Sequence, residues 1–241
     1  MEPTPASLAD STKALRDEVV LACRVLESQG QGDMVWGHVS VRDPEGRGVW
    51  LKGANLGFDE VSADDVILLD FDGRVLQGSA RRHFEWPIHT EIMRARPDVH
   101  SVIHTHPEHA VAFAAARRPL LALSHEGADF VPPDVARFTQ SGDLVSTPAL
   151  GQALAETIGA RNAVLIPCHG IVTAASDVGK ATSLAIRLER ACRVALLAGE
   201  KAEGSSDEES LAKRARTTSN LDMTWQYLSR RVSQSSKAWT S

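Results

Sequence analysis

The chain has 241 residues, of which 43% are hydrophobic and 24% are charged, a composition that supports a sizeable core and excludes a mainly disordered chain. Its 26 Lys and Arg against 31 Asp and Glu give a formal charge of −5, which excludes the cationic surface typical of nucleic-acid partners. No apolar stretch approaches the roughly 20 residues that span a bilayer. The three cysteines are far apart and form no disulfide framework. We therefore expect a soluble, cytoplasmic protein with neither a membrane nor a nucleic-acid partner.

The first part of the chain predicts a helix followed by hairpin-like strands. Apolar residues at helical spacing precede Gly30, where the helix is expected to end. The alternating segments that follow are typical of half-buried strands. These predicted strands cover residues 35–42, 48–52, 66–71 and 74–77. A helix over about 84–96 then leads into a strand over 99–104.

In the second part, Pro107 opens an alanine-rich helix, residues 163–167 form a short buried strand, and a long amphipathic helix covers about 177–197. Residues 201–210 have the low hydrophobicity of a solvated linker, and one more helix is expected within 211–232. We predict one domain over residues 1–200, with a flexible linker and a C-terminal helical extension over 201–241. Strands and helices are mixed without regular alternation, which favours an α/β sandwich with a mainly antiparallel sheet over a doubly wound fold.

A cluster of histidines carries the chemistry. His104 and His106 are two apart at the end of a predicted strand, so both side chains point to one face. This pairing favours a metal site over an ordinary strand-to-helix loop. A catalytic metal commonly takes three protein ligands. His169, directly after a buried strand and before Gly170, is the best third candidate, the alternative being a satisfied core histidine.

Glu85 and His89 are four apart near the start of a predicted helix and therefore share a face. Glu85 could be a fourth ligand or an acid–base group. It could also be an acidic residue that interacts favourably with the helix dipole. We interpret His89 as an outer partner that orients Glu85 or a metal ligand by hydrogen bonding.

Five short motifs then appear in a fixed order. They are Gly37-His38-Val39-Ser40-Val41-Arg42, Glu85-Trp86-Pro87-Ile88-His89, Arg96-Pro97-Asp98-Val99, His104-Thr105-His106 and His169-Gly170. Over about residues 13–200 this set resembles the class II aldolase/adducin family. The resemblance implies a three-layer α/β/α sandwich with a mixed, mainly antiparallel sheet, usually in a homotetramer with active sites near subunit interfaces. It also implies a divalent metal (Zn, Mn, Fe or Co) on His104, His106 and His169, with Glu85 as the acid–base residue.

Two positions depart from the sugar-phosphate aldolases that this family includes. Their phosphate-cradling Asn and Ser-Ser positions correspond here to His38 and to His83-Phe84. A phosphate needs several converging donors, so a phosphorylated substrate is not expected. Nearby cations suit a carboxylate instead, although Arg81 and Arg82 could also be a solvated charge pair. The residues predicted to bind substrate are His38, Ser40, Lys52, Arg82, His83, His125 and Glu126.

The Gly-His-Val-Ser form of the first motif and the segment Ser124-His125-Glu126-Gly127 are similar to the decarboxylase branch of the family. That resemblance implies a metal-dependent carboxy-lyase for a hydroxyaryl carboxylic acid, such as a dihydroxyphthalate in aromatic catabolism. One alternative is a class II aldolase for a non-phosphorylated aldol or hydroxy-keto acid. A second alternative is a non-catalytic adducin-like interaction module, against which three ligand histidines together with Glu85 argue.

Overall fold

The structure is a computed structural model that describes residues 5–238. Within these residues, one eight-stranded sheet is combined with seven α-helices. The helices are α1 (Pro5–Ser28), α2 (Trp86–Ala95), α3 (Glu108–Ala115), α4 (Pro148–Ile158), α5 (Val178–Ala198), α6 (Asp207–Arg214) and α7 (Thr217–Ala238). The strands are β1 (His38–Arg42), β2 (Val49–Lys52), β3 (Val66–Leu69), β4 (Val75–Gln77), β5 (Ser101–Thr105), β6 (Ala136–Arg137), β7 (Ala163–Ile166) and β8 (Gly170–Ala175).

The sheet has the order β4-β3-β2-β1-β5-β8-β7-β6. Its neighbouring strands are antiparallel except for β6 and β7, which are parallel. The prediction of a mixed, mainly antiparallel sheet is therefore confirmed. At the centre, β5 lies between β1 and β8, so that His104 pairs with His38 on one side and with Val172 on the other.

Two hydrophobic layers cover the two faces of the sheet. One contains residues of α1, α3, α5 and α7, and the other contains residues of α2 and α4. Ile103 packs in the first layer and its neighbour Val102 in the second, as the alternation of side chains along a strand requires. His104, two residues after Val102, therefore faces α2. By the same alternation Ser40 and His38 face α2 as well, because Val39 and Val41 lie in the first layer.

The structure contains elements that the sequence did not predict, namely α4, β6 and β8. In addition, α6 begins at Asp207, inside the segment predicted to be a linker, and Ser206 and Glu209 form a capping box at its start. Arg214 at its end donates to the carbonyl oxygens of Ala128 and Pro132. The division of the chain at residue 200 stays a prediction. Among the described residues, no helix has both the length and the apolar character needed to cross a membrane.

Candidate active site

Glu85, His104, His106 and His169 converge at one end of the central strands. Each offers one ligand atom, and these atoms all lie within 4.8 Å of one another. His104 Nε2 is 3.5 Å from Glu85 Oε2 and 3.0 Å from His106 Nε2. His169 Nε2 is 3.5 Å from Glu85 Oε1. The structure thus brings together the four residues that the sequence predicted to form the metal and acid–base centre.

The backbone explains why these side chains meet. His169 lies in the short turn between β7 and β8, and Gly170 begins β8 beside the end of β5. A Cβ atom on Gly170 would lie 2.5 Å from the Thr105 carbonyl oxygen and 2.7 Å from His106 Cδ2. Only glycine allows this close approach. The two chain segments that carry the histidines can therefore touch.

Glu85 is the N-cap residue of α2, but its side chain makes no capping hydrogen bond to that helix. Instead it is buried and turned towards the histidines, and its Oε1 accepts a hydrogen bond of 2.8 Å from the Val145 N–H. Of the alternatives open for this residue, the geometry favours a ligand or acid–base group over a simple partner of the helix dipole.

Hydrogen bonds set the tautomers of two histidines. His104 Nδ1 is 2.8 Å from the Ile171 carbonyl oxygen, which can only accept a hydrogen bond, so Nδ1 carries the proton. His106 Nδ1 is 3.0 Å from Asp33 Oδ2 and donates to that carboxylate. In both rings Nε2 is left with a free lone pair directed at the cluster. Such outer hydrogen bonds are typical of metal-ligating histidines. Asp33 was not predicted, because a single aspartate in a glycine-rich loop has no informative spacing.

The donor set fits a divalent metal. Both ring nitrogens of His169 are buried and have no hydrogen-bond partner within the described part of the chain. Buried polar atoms are rarely left unpaired, and a metal at the cluster would take one of these nitrogens. Three imidazoles and a carboxylate suit Zn, Mn, Fe or Co. The cluster could therefore hold a divalent metal, and its donor set does not distinguish among these four.

Three histidines in and around the cluster, His83, His89 and His106, are held neutral, which is the form that binds metals. Burial, together with His104 and His169, lowers the pKa of His106 to about 4. Burial also lowers the pKa of both His83 and His89 to about 3. For Glu85, burial alone would raise the pKa, but the facing His104 and the other histidines around the carboxylate hold that pKa well below its usual range. The carboxylate is therefore ionised.

A cavity of about 320 Å³ opens in front of the cluster. His38, His83 and Arg81 contribute its polar wall, and the partly exposed Trp36 and Phe84 contribute flat apolar surfaces. The Arg81 guanidinium carbon lies 5.2 Å from the centre of the Phe84 ring. A planar anion could stack on the aromatic surfaces while its charge meets Arg81.

The structure separates the residues predicted to bind substrate into two groups. His38 and His83 line the cavity. Ser40 and Lys52 are fully buried and lie outside the lining, and Lys52 donates to the Gly53 carbonyl oxygen at 3.2 Å. The Arg82 guanidinium lies 5.1 Å from the Trp86 ring centre, so Arg81, its neighbour, is the arginine in the cavity wall.

His125 and Glu126, also predicted to bind substrate, lie in the loop before the short helical turn Gly127–Asp129 and do not line this cavity. The His125 carbonyl oxygen accepts a hydrogen bond from Arg187 on α5. His89 forms no hydrogen bond to His104, His106 or His169. Its two ring nitrogens instead pair with His38 and Ser40 at 2.6 Å each. These partners differ from the predicted ones, and the role of His89 as an outer partner stays a prediction.

This fold and this cluster define the class of protein. The chain belongs to the class II aldolase and adducin family, because residues 17–196 match the family described as Class II Aldolase and Adducin N-terminal domain. The resemblance inferred from the five motifs is thereby confirmed.

Three proteins that are similar to this chain carry different names. A 3,4-dihydroxyphthalate decarboxylase of Arthrobacter keyseri is 34% identical over 189 residues, which cover 72% of this chain and 74% of that protein. The meiotically up-regulated gene 14 protein of Schizosaccharomyces pombe is 29% identical over 198 residues, which cover 81% of this chain and 77% of that protein. The solved L-fuculose 1-phosphate aldolase from Glaciozyma antarctica has a TM-score of 0.81 at 24% identity, covering 97% of this chain and 96% of that one. At this identity the last similarity shows the fold alone.

Proposed function

We propose that the protein is a divalent-metal-dependent carbon–carbon lyase, and specifically a decarboxylase of a non-phosphorylated hydroxyaryl carboxylic or dicarboxylic acid such as a dihydroxyphthalate. The observation that carries this proposal is the cavity wall in front of the cluster. There the imidazoles of His38 and His83 and the Arg81–Phe84 pair surround the space. This wall suits a planar carboxylate better than a sugar phosphate. The similarity to a dihydroxyphthalate decarboxylase agrees with it.

His104, His106 and His169 would hold the metal, with Glu85 as a neighbouring group that could also ligate it. When bound, the metal supplies a Lewis acid that stabilises negative charge on a substrate oxygen. Arg81 holds the carboxylate that remains on the substrate, and Phe84 and Trp36 support the ring. These contacts orient the carboxylate that leaves towards the cluster.

Glu85 moves the proton. Its carboxylate is ionised and lies among the ligand histidines, so it can accept the proton of a ring hydroxyl. It then returns that proton to the ring carbon whose carboxylate leaves. As that bond breaks, its electron pair stays on the ring and CO2 departs. A solvent proton restores the hydroxyl, so each turnover consumes one proton. General acid–base groups of this kind contribute about 10²- to 10⁴-fold to rate.

The test is a Glu85→Gln variant, which removes the proton acceptor and keeps the side-chain shape. We expect CO2 release to fall by about 10²-fold or more, with metal content and fold retained. Glu91→Gln is the matched control, since Glu91 is also a buried glutamate of α2 but ion-pairs with Arg94 outside the cavity. Panels of dihydroxyaryl acids would be assayed with Mn²⁺, Zn²⁺ or Co²⁺. Full turnover by the metal-loaded Glu85→Gln protein would remove Glu85 from this role.

A class II aldolase for a non-phosphorylated aldol or hydroxy-keto acid is the second candidate. The membership of the chain in the class II aldolase and adducin family supports this candidate. The same cluster would serve it, with Glu85 moving the proton. Release of an aldehyde instead of CO2 from parallel substrate panels would select this reaction. An adducin-like module without chemistry would be selected by a folded protein that contains no stoichiometric metal and takes none up.

The proposal includes a cytoplasmic homotetramer that acts in aromatic catabolism on a small carboxylate. An assembly of this kind is what the family resemblance implies. Sedimentation analysis of the metal-loaded protein tests it, and a mass near four times the 26.0 kDa chain is expected. A monomer at micromolar concentration would contradict this part of the proposal.

A further inference from the structure

The cavity wall contains an amide that has no partner within the chain. Asn55 is exposed and lines the cavity in front of the cluster, as Arg81 does. Among the residues that the structure describes, the Asn55 side chain forms no hydrogen bond. An asparagine amide offers two N–H donors and one acceptor oxygen. This wall therefore holds a polar group whose hydrogen-bonding capacity is available to a ligand.

The backbone of Asn55 adopts the left-handed conformation, with a φ of +67°. Glycine adopts this conformation without steric cost, and asparagine is one of the few other residues that tolerate it. A turn alone would therefore accept glycine at this position at least as well. Asparagine adds an amide to the cavity wall that glycine would not supply, and a substitution can separate the two roles.

The segment that carries Asn55 is hydrogen-bonded to the segment that carries Arg81. The Ala54 N–H donates to the Arg81 carbonyl oxygen at 2.7 Å. One residue earlier, the Gly53 carbonyl oxygen accepts a hydrogen bond of 3.1 Å from His83 Nε2. The Asn55 amide and the Arg81 guanidinium therefore belong to one connected part of the wall.

An amide beside a guanidinium suits a carboxylate. The guanidinium offers a planar fork of N–H donors, and the amide can turn its own N–H groups towards the same anionic oxygens. Hydrogen bonds to a charged acceptor are stronger than those between neutral groups. Glu85, His106 and His169 of the cluster line the same cavity. One small ligand can therefore contact both the cluster and this part of the wall.

We propose that Asn55 is a specificity-determining residue that binds, together with Arg81, a second carboxylate of the substrate, so that the protein selects aryl dicarboxylic acids over monocarboxylic ones. One carboxylate lies at Asn55 and Arg81 while the other faces the cluster. The inference rests on the proposed function, which allows either number of carboxylates. Its test measures binding and not turnover, so that the two can fail separately.

Salicylate and 3-hydroxyphthalate are matched probes, because both carry a hydroxyl next to a carboxylate and they differ by one further carboxylate. Each is titrated into the Zn²⁺-loaded protein, and stopped-flow fluorescence measures its Kd before any turnover. We expect the wild type to bind 3-hydroxyphthalate about 100-fold more tightly than salicylate, from about tenfold for each of the two contacts to a charged group.

Asn55→Gly removes the amide and suits the left-handed backbone. For this variant we expect the preference for 3-hydroxyphthalate to fall to about tenfold, with the Zn²⁺ content and the free energy of unfolding unchanged. Asn55→Asp keeps the side-chain shape but places a negative charge beside the bound carboxylate, so the preference should fall to about one. Asn162→Asp is the matched control, since Asn162 is exposed and does not line this cavity.

An unchanged preference in Asn55→Gly would overturn the inference and assign Asn55 to the turn alone. Equal Kd values of the wild type for the two probes, or equal effects of Asn55→Asp and Asn162→Asp, would overturn it as well. If the preference depends on Asn55 but no hydroxyaryl acid releases CO2, the proposed function fails and this inference stands. If such acids release CO2 while Asn55→Gly keeps the full preference, the inference fails and the proposed function stands.

Discussion

Replacing Asp33 by alanine is expected to weaken metal binding without disturbing the fold. Asp33 Oδ2 accepts the hydrogen bond of His106 Nδ1 at 3.0 Å and thereby fixes both the rotation and the tautomer of that ring. The Asp33 side chain is 37% exposed, so its loss leaves no buried cavity. His104 is held in the equivalent way by a backbone carbonyl oxygen, which no substitution removes. Substitution of Asp33 therefore tests whether these outer hydrogen bonds orient the histidine rings.

The expected loss is about 10- to 100-fold in metal affinity, the usual effect of removing a carboxylate that orients a ligand histidine. This corresponds to about 1.4 to 2.7 kcal/mol. Competition from protons does not account for it. The pKa of His106 is about 4, and Asp33 acts to raise it. At pH 7 the ring is neutral with or without Asp33, so a change in affinity reports orientation.

The assay is a competition titration of Zn²⁺ against a chelator at pH 7. Asp64→Ala is the matched control, because it removes the same charge from a side chain that is 96% exposed. Asp33→Asn keeps an acceptor oxygen and should fall between the wild type and Asp33→Ala. Equal Zn²⁺ affinity for Asp33→Ala and Asp64→Ala would refute the reasoning that this carboxylate orients His106.

Three other changes test neighbouring parts of the site. Arg81→Ala should raise KM for a hydroxyaryl acid about tenfold with little change in kcat, as expected for lost ground-state binding, whereas Arg82→Ala should leave KM unchanged. Equal effects of the two substitutions in steady-state kinetics would contradict the assignment of Arg81 as the arginine that binds the carboxylate. Gly170→Ala should abolish stoichiometric metal uptake in elemental analysis because its Cβ would collide with the ligand segments; normal uptake would count against this packing. In denaturant unfolding of the metal-free protein, the free energy of unfolding should be lower at pH 5 than at pH 7, by about 2 kcal/mol for each of His83 and His89. The reason is that their folded pKa of about 3 lies below the unfolded value, so the unfolded chain takes up protons first as the pH falls. Stability that is flat over this range would exclude neutral burial of these rings.

The meeting of the three histidines could be predicted because these residues follow local rules. The two-residue period of a strand places His104 and His106 on one face, and Gly170 marks the close approach beside His169. The position of Glu85 at the start of a helix left it as a possible ligand, acid–base group or partner of the helix dipole, and the motif order then indicated the acid–base role.

Contacts between distant segments could not be predicted in the same way. Asp33 reaches His106 across 73 residues, and nothing in the sequence around either residue indicates the contact. The choice between Arg81 and Arg82 depends on loop direction, because neighbours in a loop follow no fixed period. Helix α6 is a different case. Its capping residues, Ser206 and Glu209, have the spacing of a capping box, but the acidic and polar composition of the segment favoured a linker.

The choice between decarboxylation and aldol cleavage depends on the cavity wall more than on the metal cluster. Both reactions break a carbon–carbon bond and leave an electron pair that must be delocalised onto an oxygen, so three histidines and Glu85 would serve either. The wall decides what can bind beside them. His38 and His83 are held neutral and buried. The one N–H of His83 already donates to the Gly53 carbonyl oxygen, so the two rings offer too few donors to replace the several converging donors of a phosphate cradle. Arg81 supplies the fixed positive charge that they lack. Changes in this wall should therefore alter which acid is bound while leaving metal affinity unchanged.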